Sequence, residues 1–299
     1  MQTNDAIVEV KGLVKNYGKK QVLHSIDFTI PRGRIYGLIG HNGAGKTTAI
    51  NALLGLISYE GDVKVLGLNP FTNRSKMMLD TAFISDVASL PRFLKVTELL
   101  SLVEDIHPNF NRQKAEQILA DGDIRDNVKI KSLSKGMMAQ LHLAIVMAID
   151  AKLLVLDEPT LGLDITFRKK FYRRLVEDYM SENRSILITT HQVDEIEHLL
   201  TDLIFIRDGR IVLDANMDDI SNRYIQILVA PEAKQEAMAH NPIFTTKQMG
   251  QDIMIFDDLE EEIAKAFGII STPSISDLFV ALMEKKDASQ KAATMGAAK

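Results

Sequence analysis

The amino-terminal part of the chain alternates apolar and polar residues with a period of two. This alternation runs through residues 7–17 and 21–30, and a shorter stretch that is apolar after its first residue, Arg34, follows at 34–40. The sequence Pro-Arg-Gly at 31–33 interrupts the pattern, as turns do. We therefore predict antiparallel strands that feed into a buried strand, and a further short strand at 61–67.

The apolar spacing becomes helical in the middle of the chain. Residues 97–106 and 112–119 have the period of amphipathic helices and belong to a segment, about 86–131, that we predict to be a helical subdomain. Residues 141–149 are almost wholly apolar. This last stretch predicts a helix buried on all sides.

Two apolar runs, at 151–159 and 185–191, each end in polar residues. With a helix predicted at 167–180 between them, they indicate a βαβ unit of a parallel sheet. Residues 204–214 then read as a hairpin whose turn is Asp-Gly at 208–209.

The pattern changes once more after about residue 219. Strand-like and helix-like stretches alternate on a smaller scale, which predicts a separate accessory α/β domain at 221–286 after a first domain at 6–220. Residues 287–299 contain little apolar bulk and are expected to be disordered. The strand-like stretches are 224–230 and 252–257, and the helix-like stretches are 231–240, 259–268 and 274–287.

Composition narrows the functional classes. The 299 residues are 46% hydrophobic and 25% charged, which is ordinary for a globular protein. The net charge is −5, and this negative charge disfavours a nucleic-acid-binding function. The absence of cysteine excludes disulfides and thiolate metal sites. No apolar run approaches the ~18 residues that a membrane span needs, and the amino terminus does not resemble a signal peptide. Any function at a membrane would thus require spans from another chain.

The most specific motif is Gly-His-Asn-Gly-Ala-Gly-Lys-Thr at residues 40–47, which matches the phosphate-binding P-loop. It lies between a predicted strand and an apolar helix, as the motif requires. Glycines let backbone N–H groups surround a phosphate, and the helix start adds partial positive charge. We expect Lys46 to reach the β- and γ-phosphates of a nucleotide and Thr47 to bind Mg²⁺.

Asp157 and Glu158 follow the apolar strand predicted at 153–156. Open α/β sheets bind ligands at such strand ends. We expect Asp157 to hold Mg²⁺, directly or through water, and Glu158 to orient and deprotonate the attacking water. A solvated strand end or a helix cap is the alternative, and the nearby P-loop makes it the weaker one.

The residues before this pair identify the kind of P-loop protein. No guanine-reading motif is present, and residues 133–137, Leu-Ser-Lys-Gly-Met, occupy the place of the LSGGQ signature of ABC (ATP-binding cassette) ATPases. The chain resembles this family over about residues 6–220. The resemblance implies an α/β fold: a P-loop core with a mostly parallel sheet and helices, an antiparallel β subdomain, a helical subdomain and, in this chain, a small carboxy-terminal α/β appendage.

The resemblance also assigns roles to individual residues. Tyr17 lies at the position that stacks on adenine, His191 at the switch histidine that contacts the γ-phosphate, and residues 161–164 at the D-loop. Glu158, His191 and Lys46 are the expected catalytic residues. The expected ATP-binding residues are Tyr17, Gly40, Asn42, Gly43, Ala44, Gly45, Lys46, Thr47 and Thr48, with Ser134 and Gly136 contacting a nucleotide held by a second subunit.

The chain departs from the family pattern at two places. Lys135 and Met137 replace a glycine and a glutamine of the signature. Asp86 lies where the Q-loop usually has glutamine, and its carboxylate is a third candidate ligand of Mg²⁺, beside Thr47 and Asp157. These departures keep open an alternative function, a nucleotide-sensing or regulatory ABC ATPase that is not coupled to transport.

The function implied by the resemblance is an ATP-hydrolysing subunit that drives a polytopic transmembrane subunit by closing and opening as a dimer, with an identical or a related second cassette. We expect a cytoplasmic protein, peripheral on the inner membrane, and export rather than import, because the appendage resembles that of exporter-type bacterial cassettes. Members acting on ribosomes or DNA carry two cassettes or a coiled coil, which this chain lacks. Residues 91–96 offer either a contact for the membrane partner or a cover for their own subdomain.

Overall fold

A computed structural model describes residues 6–85, 90–120, 122, 124, 127–161, 163–179 and 184–284. The chain forms two compact units. The first contains the residues up to His191 together with Leu199–Ile211, and the second contains Gln192–His198 together with the residues from Val212 onward. The domain boundary at 220 stays a prediction, and the predicted disordered tail lies outside the described residues.

The first unit begins with an antiparallel sheet. Strands β1 (Ala6–Tyr17) and β2 (Lys20–Pro31) form a long hairpin, β3 (Ile35–Ile39) leaves this sheet, and β4 (Glu60–Val65) pairs with the other side of β1. The sheet order is therefore β2-β1-β4. Alternate residues at the end of β2 (Ile26, Phe28 and Ile30) are buried, which is the pattern that the sequence predicted for this subdomain.

A six-stranded sheet in the order β5-β6-β7-β3-β8-β9 forms the centre of this unit. Strands β5 to β8 and β3 pair in parallel, and every residue of β3, β6 and β7 is buried, as near-continuous apolar strands of parallel sheets are. The predicted mostly parallel fold is confirmed. The added strands are β5 (Thr81–Ile84), β6 (Leu153–Asp157), β7 (Ser185–Thr190), β8 (Asp202–Arg207) and β9 (Arg210–Asn216), whose residues from Val212 onward belong to the second unit.

Helices complete the first unit, and three of them share a hydrophobic core. Buried side chains of α3, α4 and α5, among them Leu100, Leu119 and Leu141, pack together, which confirms the helical subdomain. The α-helices are α1 (Lys46–Leu53), α2 (Arg74–Met78), α3 (Val96–Ile106), α4 (Arg112–Ala120), α5 (Lys135–Met147) and α6 (Ile165–Arg174), with a π-helical turn at Leu175–Tyr179 and a 3₁₀ turn at Ile130–Ser132.

The second unit contains an antiparallel sheet in the order β11-β12-β10-β13, whose inner face packs Ile227, Met254 and Phe256 against Ala264 and Phe267. This confirms the predicted α/β appendage and adds two short edge strands that the sequence pattern did not predict, β11 and β13. Its strands are β10 (Tyr224–Val229), β11 (Phe244–Gln248), β12 (Gln251–Asp257) and β13 (Gly268–Ser271). Its helices are α7 (Met217–Arg223), α8 (Lys234–Ala239), α9 (Glu261–Phe267) and one over 275–284, with 3₁₀ turns at Val193–Glu195, Glu197–Leu199 and Pro231–Ala233.

Across all the residues that the structure describes, none of the helices combines the length and the apolar character that crossing a bilayer demands.

The turn between β8 and β9 connects three parts of the first unit. The backbone N–H of Gly209 donates a hydrogen bond to the carbonyl of Ala44, and its own carbonyl accepts one from the N–H of His24, each at 2.9 Å. The φ of Gly209 is +68°, and a Cβ added there would lie 1.9 Å from the carbonyl oxygen of Val22. The loop at Ala44 is thus held to both sheets at a position that has no room for a side chain.

We expect Gly209→Ala to destabilise the protein more than Gly67→Ala does. Gly67 has a similar φ of +73° but no atom within 4 Å of an added Cβ, so its substitution costs only the backbone strain of about 1–2 kcal/mol. Gly209→Ala adds a steric clash of about 1–3 kcal/mol to that strain. Urea denaturation followed by circular dichroism measures both losses, and equal losses would contradict the proposed role of the close contact.

Candidate functional site

The site lies where three neighbouring strands end. The loop of residues 40–45 follows β3. Asp157 is the last residue of β6 and Glu158 comes directly after it, while His191 comes directly after β7. These strands are adjacent and parallel in the order β6-β7-β3, so their carboxyl ends meet at the same edge of the sheet. The predicted phosphate loop, carboxylate pair and histidine therefore come together.

The phosphate loop ends in the first turn of α1. Gly45 is the residue before this helix, with a φ of +110°, and an added Cβ would lie 2.8 Å from Leu23. Having no side chain, Gly45 cannot cap the backbone N–H groups of the first turn. Together with the partial positive charge of the helix start, these groups form a suitable binding site for a phosphate.

Lys46 is the cation of the site. Its Nζ donates a hydrogen bond of 2.6 Å to the carbonyl of Gly40 and lies 4.0 Å from Oε1 of Glu158, while its side chain is only 7% exposed. Burial lowers the pKa of Lys46, and the charges of Glu158 and Asp157 partly oppose that shift. The ammonium group is therefore poorly hydrated, and the effect of burial outweighs the attraction of the two carboxylates. The negative charge of an incoming phosphate would stabilise the protonated form of Lys46.

Oxygen atoms suited to a divalent cation lie beside the lysine. The hydroxyl of Thr47 donates a hydrogen bond of 3.0 Å to Oδ2 of Asp157, and Asp157 is buried. A threonine hydroxyl and a carboxylate are the donors that Mg²⁺ takes in nucleotide sites, where it keeps further oxygen ligands from water and phosphates. The chemistry of this donor set thus fits the predicted Mg²⁺ ligands Thr47 and Asp157.

Glu158 and His191 form a pair next to these groups. Oε2 of Glu158 lies 2.8 Å from Nδ1 of His191 and accepts a longer hydrogen bond, 3.4 Å, from the histidine backbone N–H. A carboxylate only accepts hydrogen bonds, so His191 presents Nδ1–H to it and leaves Nε2 available. The histidine side chain is 43% exposed and the glutamate 16%. A base and a polar group are therefore held together at the edge of the site.

The backbone of Glu158 is in the left-handed region, with a φ of +49°. Its N–H donates to both the carbonyl and the hydroxyl of Thr189, at 3.1 and 3.2 Å. This conformation costs free energy in a residue other than glycine, and residues held in it are found mostly at functional sites. The sheet itself thus supports the unusual conformation that points Glu158 away from the end of β6.

The remaining predicted residues are not all in this cluster. Tyr17 is half exposed at the end of β1, with the ammonium of Lys15 at 4.9 Å from its ring centroid. Ser134 precedes α5 and caps it by accepting a hydrogen bond of 3.1 Å from the N–H of Met137, and Gly136 lies in the first turn of the same helix. Asp86 lies outside the described residues. Asn42, Gly43, Ala44 and Thr48 belong to the loop and to the start of α1.

Sequence reasoning missed two contributors to the site. Thr189 bonds to both members of the carboxylate pair, and Gly209 holds the phosphate loop from the β8–β9 turn. The only signal for Thr189 in the sequence is its place in a second apolar strand, two residues before His191. That Thr189 contacts Asp157 follows only from the register of β6 and β7, which places the two residues opposite each other.

Comparison with known proteins agrees with this geometry. Residues 23–161 match the model of the ABC transporter family. The lantibiotic transport ATP-binding protein SrtF of Streptococcus pyogenes is 34% identical over 227 residues, which are 72% of this chain and 93% of SrtF. The Nod factor export ATP-binding protein I of Cupriavidus pinatubonensis is 32% identical over 232 residues, 74% of this chain and 69% of that protein.

Solved structures show the same likeness. The structure of an ATP-binding subunit of an ABC transporter superposes with a TM-score of 0.66 at 26% sequence identity, covering 72% of this chain and 92% of the other. The similarity to SrtF and to the solved structure extends over nearly the whole length of those two relatives, and the matched family segment contains Lys46, Thr47, Asp157 and Glu158. The chain belongs to the ABC transporter family, as an ATP-binding subunit of a transporter.

Proposed function

We propose that this protein hydrolyses ATP with Mg²⁺ and works as a dimer that drives export through a separate polytopic transmembrane subunit. The observation that carries the proposal is the cluster at the ends of β3, β6 and β7, where Lys46, Thr47, Asp157, Glu158 and His191 meet. It combines a phosphate loop, a candidate Mg²⁺ site and a candidate base, linked by contacts of 4.0 Å or less.

The electrostatics of the cluster favour the Mg²⁺ complex of a nucleoside triphosphate over a free phosphate. Two carboxylates and one ammonium leave the site with excess negative charge, and a triphosphate adds more. Thr47 and Asp157 would hold Mg²⁺, which supplies charge neutralisation between the phosphates and these carboxylates. Lys46 then exchanges the carbonyl of Gly40 for the β- and γ-phosphate oxygens.

Glu158 is the group positioned to activate water. Its Oε1 is 4.0 Å from the Nζ of Lys46, which we expect to lie on the γ-phosphate, and its Oε2 is held by His191. In the proposed step, Glu158 removes a proton from water as the oxygen attacks the γ-phosphorus, and the bond from the γ-phosphorus to the bridging oxygen breaks. His191 orients the glutamate and presents its other nitrogen to the γ-phosphate.

A second cassette completes the site in this proposal. The first turn of α5, at Ser134 and Gly136, is exposed or half-buried and has the anion-binding character of a helix start. We propose that this turn contacts the γ-phosphate bound to the other subunit, so that two ATP molecules close a head-to-tail dimer and hydrolysis opens it. The mate is an identical or a related cassette.

Export is supported by the names of two relatives, one in lantibiotic transport and one in Nod factor export. We propose that the protein binds a transmembrane partner from the cytoplasmic face of the inner membrane and that the helical subdomain makes the contact. Phe93, just before α3, and Ile106, at the end of α3, are 76% and 70% exposed, and we expect a protein partner to cover such apolar side chains. The cargo is decided by that partner.

Glu158→Gln should lower the ATPase rate by about 10²-fold or more while leaving ATP affinity within twofold, because the amide keeps the shape but cannot take up a proton. The same variant should form an ATP-dependent dimer on size-exclusion chromatography. Glu60→Gln, an exposed acid of β4, is the matched control and should behave as wild type. Full turnover by Glu158→Gln would show that another group is the base.

Lys46→Ala should weaken ATP binding by about 10- to 150-fold, the equivalent of the ~1.5–3 kcal/mol of a hydrogen bond to a charged group. Lys64→Ala removes an exposed lysine of β4 and should leave the affinity unchanged. Isothermal titration calorimetry with Mg²⁺ present measures both dissociation constants. An unchanged affinity in Lys46→Ala would refute the phosphate contact.

Export by a separate membrane subunit has its own test. Affinity purification of the tagged full chain from detergent-solubilised membranes should recover a polytopic membrane protein in stoichiometric amount, identified by mass spectrometry. Phe93→Glu should reduce this recovery and leave ATP affinity unchanged, because it charges an exposed apolar side chain that is not part of the nucleotide cluster. Recovery of ribosomes in stoichiometric amount would contradict the transport proposal, and so would a purification that recovers no membrane protein.

A further inference from the structure

Thr189 is a fully buried residue near the end of β7 that touches both acids of the site. Its hydroxyl lies 2.5 Å from Oδ1 of Asp157 and accepts the backbone N–H of Glu158 at 3.2 Å. Asp157 is itself 2% exposed. This one hydroxyl therefore connects a candidate Mg²⁺ ligand with a candidate base, in a region from which water is excluded.

The direction of these hydrogen bonds follows from the chemistry of the partners. The N–H of Glu158 can only donate, so the Thr189 oxygen must accept there. Its single proton is then free for the carboxylate of Asp157, which only accepts. Oδ1 of Asp157 is thereby occupied, and Oδ2 faces the hydroxyl of Thr47 on α1. The carboxylate is held in one orientation, with a single oxygen directed at the phosphate loop.

We propose that Thr189 is a positioning residue, which fixes the carboxylate of Asp157 so that one oxygen faces the Mg²⁺ site and fixes the left-handed backbone of Glu158 so that its side chain faces the nucleotide. This inference rests on the proposed ATPase function. It adds that metal binding by Asp157 and water activation by Glu158 both depend on Thr189, because the same hydroxyl bonds to both residues.

The strain at Glu158 explains why such a support is needed. A φ of +49° is unfavourable for a residue with a side chain, so the conformation persists only where surrounding contacts impose it. The carbonyl of Thr189 also accepts the Glu158 N–H, at 3.1 Å, but that contact survives any substitution of the side chain. Of these Thr189 contacts, it is the hydroxyl that bonds to both Asp157 and Glu158, so its removal tests the coupling.

The test compares Thr189→Val, which replaces the hydroxyl by a methyl group of similar size, with Thr189→Ser, which keeps the hydroxyl. ATP affinity is measured by fluorescence of a labelled ATP analogue in EDTA and in Mg²⁺, and kcat is measured separately. In Thr189→Val we expect the Mg²⁺-dependent gain in affinity to fall by about tenfold and kcat by about 10- to 100-fold, while affinity in EDTA stays within twofold. Thr189→Ser should restore both quantities to within about threefold.

Thr201→Val is the matched control. The hydroxyl of Thr201 also bonds to backbone and carboxylate, those of Ile35 and Asp202, but it lies where β8 begins, at the opposite edge of the same sheet. Its loss should lower the melting temperature without changing the Mg²⁺ gain or kcat. Should Thr189→Val not fold, Thr189→Cys offers a weak donor of similar size and is compared with Thr189→Ser in the same way.

The outcomes separate this inference from the proposed function. Wild-type protein without ATP binding or turnover would overturn the proposed function itself. If the wild-type protein is active and Thr189→Val matches it in both the Mg²⁺-dependent gain in affinity and kcat, the role of Thr189 is overturned and the proposed function is not. Equal losses in Thr189→Val and Thr189→Ser would also overturn it, because the cause would then be packing rather than the hydroxyl.

Discussion

Parallel pairing of three buried strands is the constraint on which the rest of this structure depends. β6, β7 and β3 are neighbours in the central sheet, and their carboxyl ends reach the same edge. Thr47 and Asp157 thus form a hydrogen bond across 110 residues of sequence. Every residue of the three strands is buried, so burial of the apolar strands also assembles the polar groups at their ends.

The cluster that results is organised around charges that do not balance within the chain. Lys46 is buried enough for its pKa to be lowered, although Glu158 and Asp157 oppose the shift. Removing both carboxylates from water is costly unless cations and hydrogen-bond donors compensate. Threonine hydroxyls from α1 and β7 supply part of that compensation. The charges that remain uncompensated are those of the ammonium and the two carboxylates. A triphosphate together with its divalent cation compensates both kinds of charge better than either ion alone.

Family membership and local geometry support the function at different levels. The relatives and the matching family model establish an ATP-binding subunit of a transporter. The geometry supports the mechanism proposed for such a subunit: Lys46 lies among the loop carbonyls, Glu158 is held in a strained conformation, and His191 contacts its carboxylate. The accessory α/β unit has a hydrophobic core of its own, formed by residues that are not part of the nucleotide cluster.

The sequence by itself determined the local features: the P-loop, the carboxylate pair after an apolar strand, the helical subdomain and the Asp-Gly hairpin. Each depends on residues close in the chain, whose spacing and side-chain chemistry dictate their conformation. Only the tertiary structure decided that Thr189 binds both Asp157 and Glu158, that Glu158 adopts a positive φ, and that Gly209 holds the phosphate loop. These contacts arise from strand order and register, because pairing between distant segments is set by the packing of the whole sheet and not by local sequence.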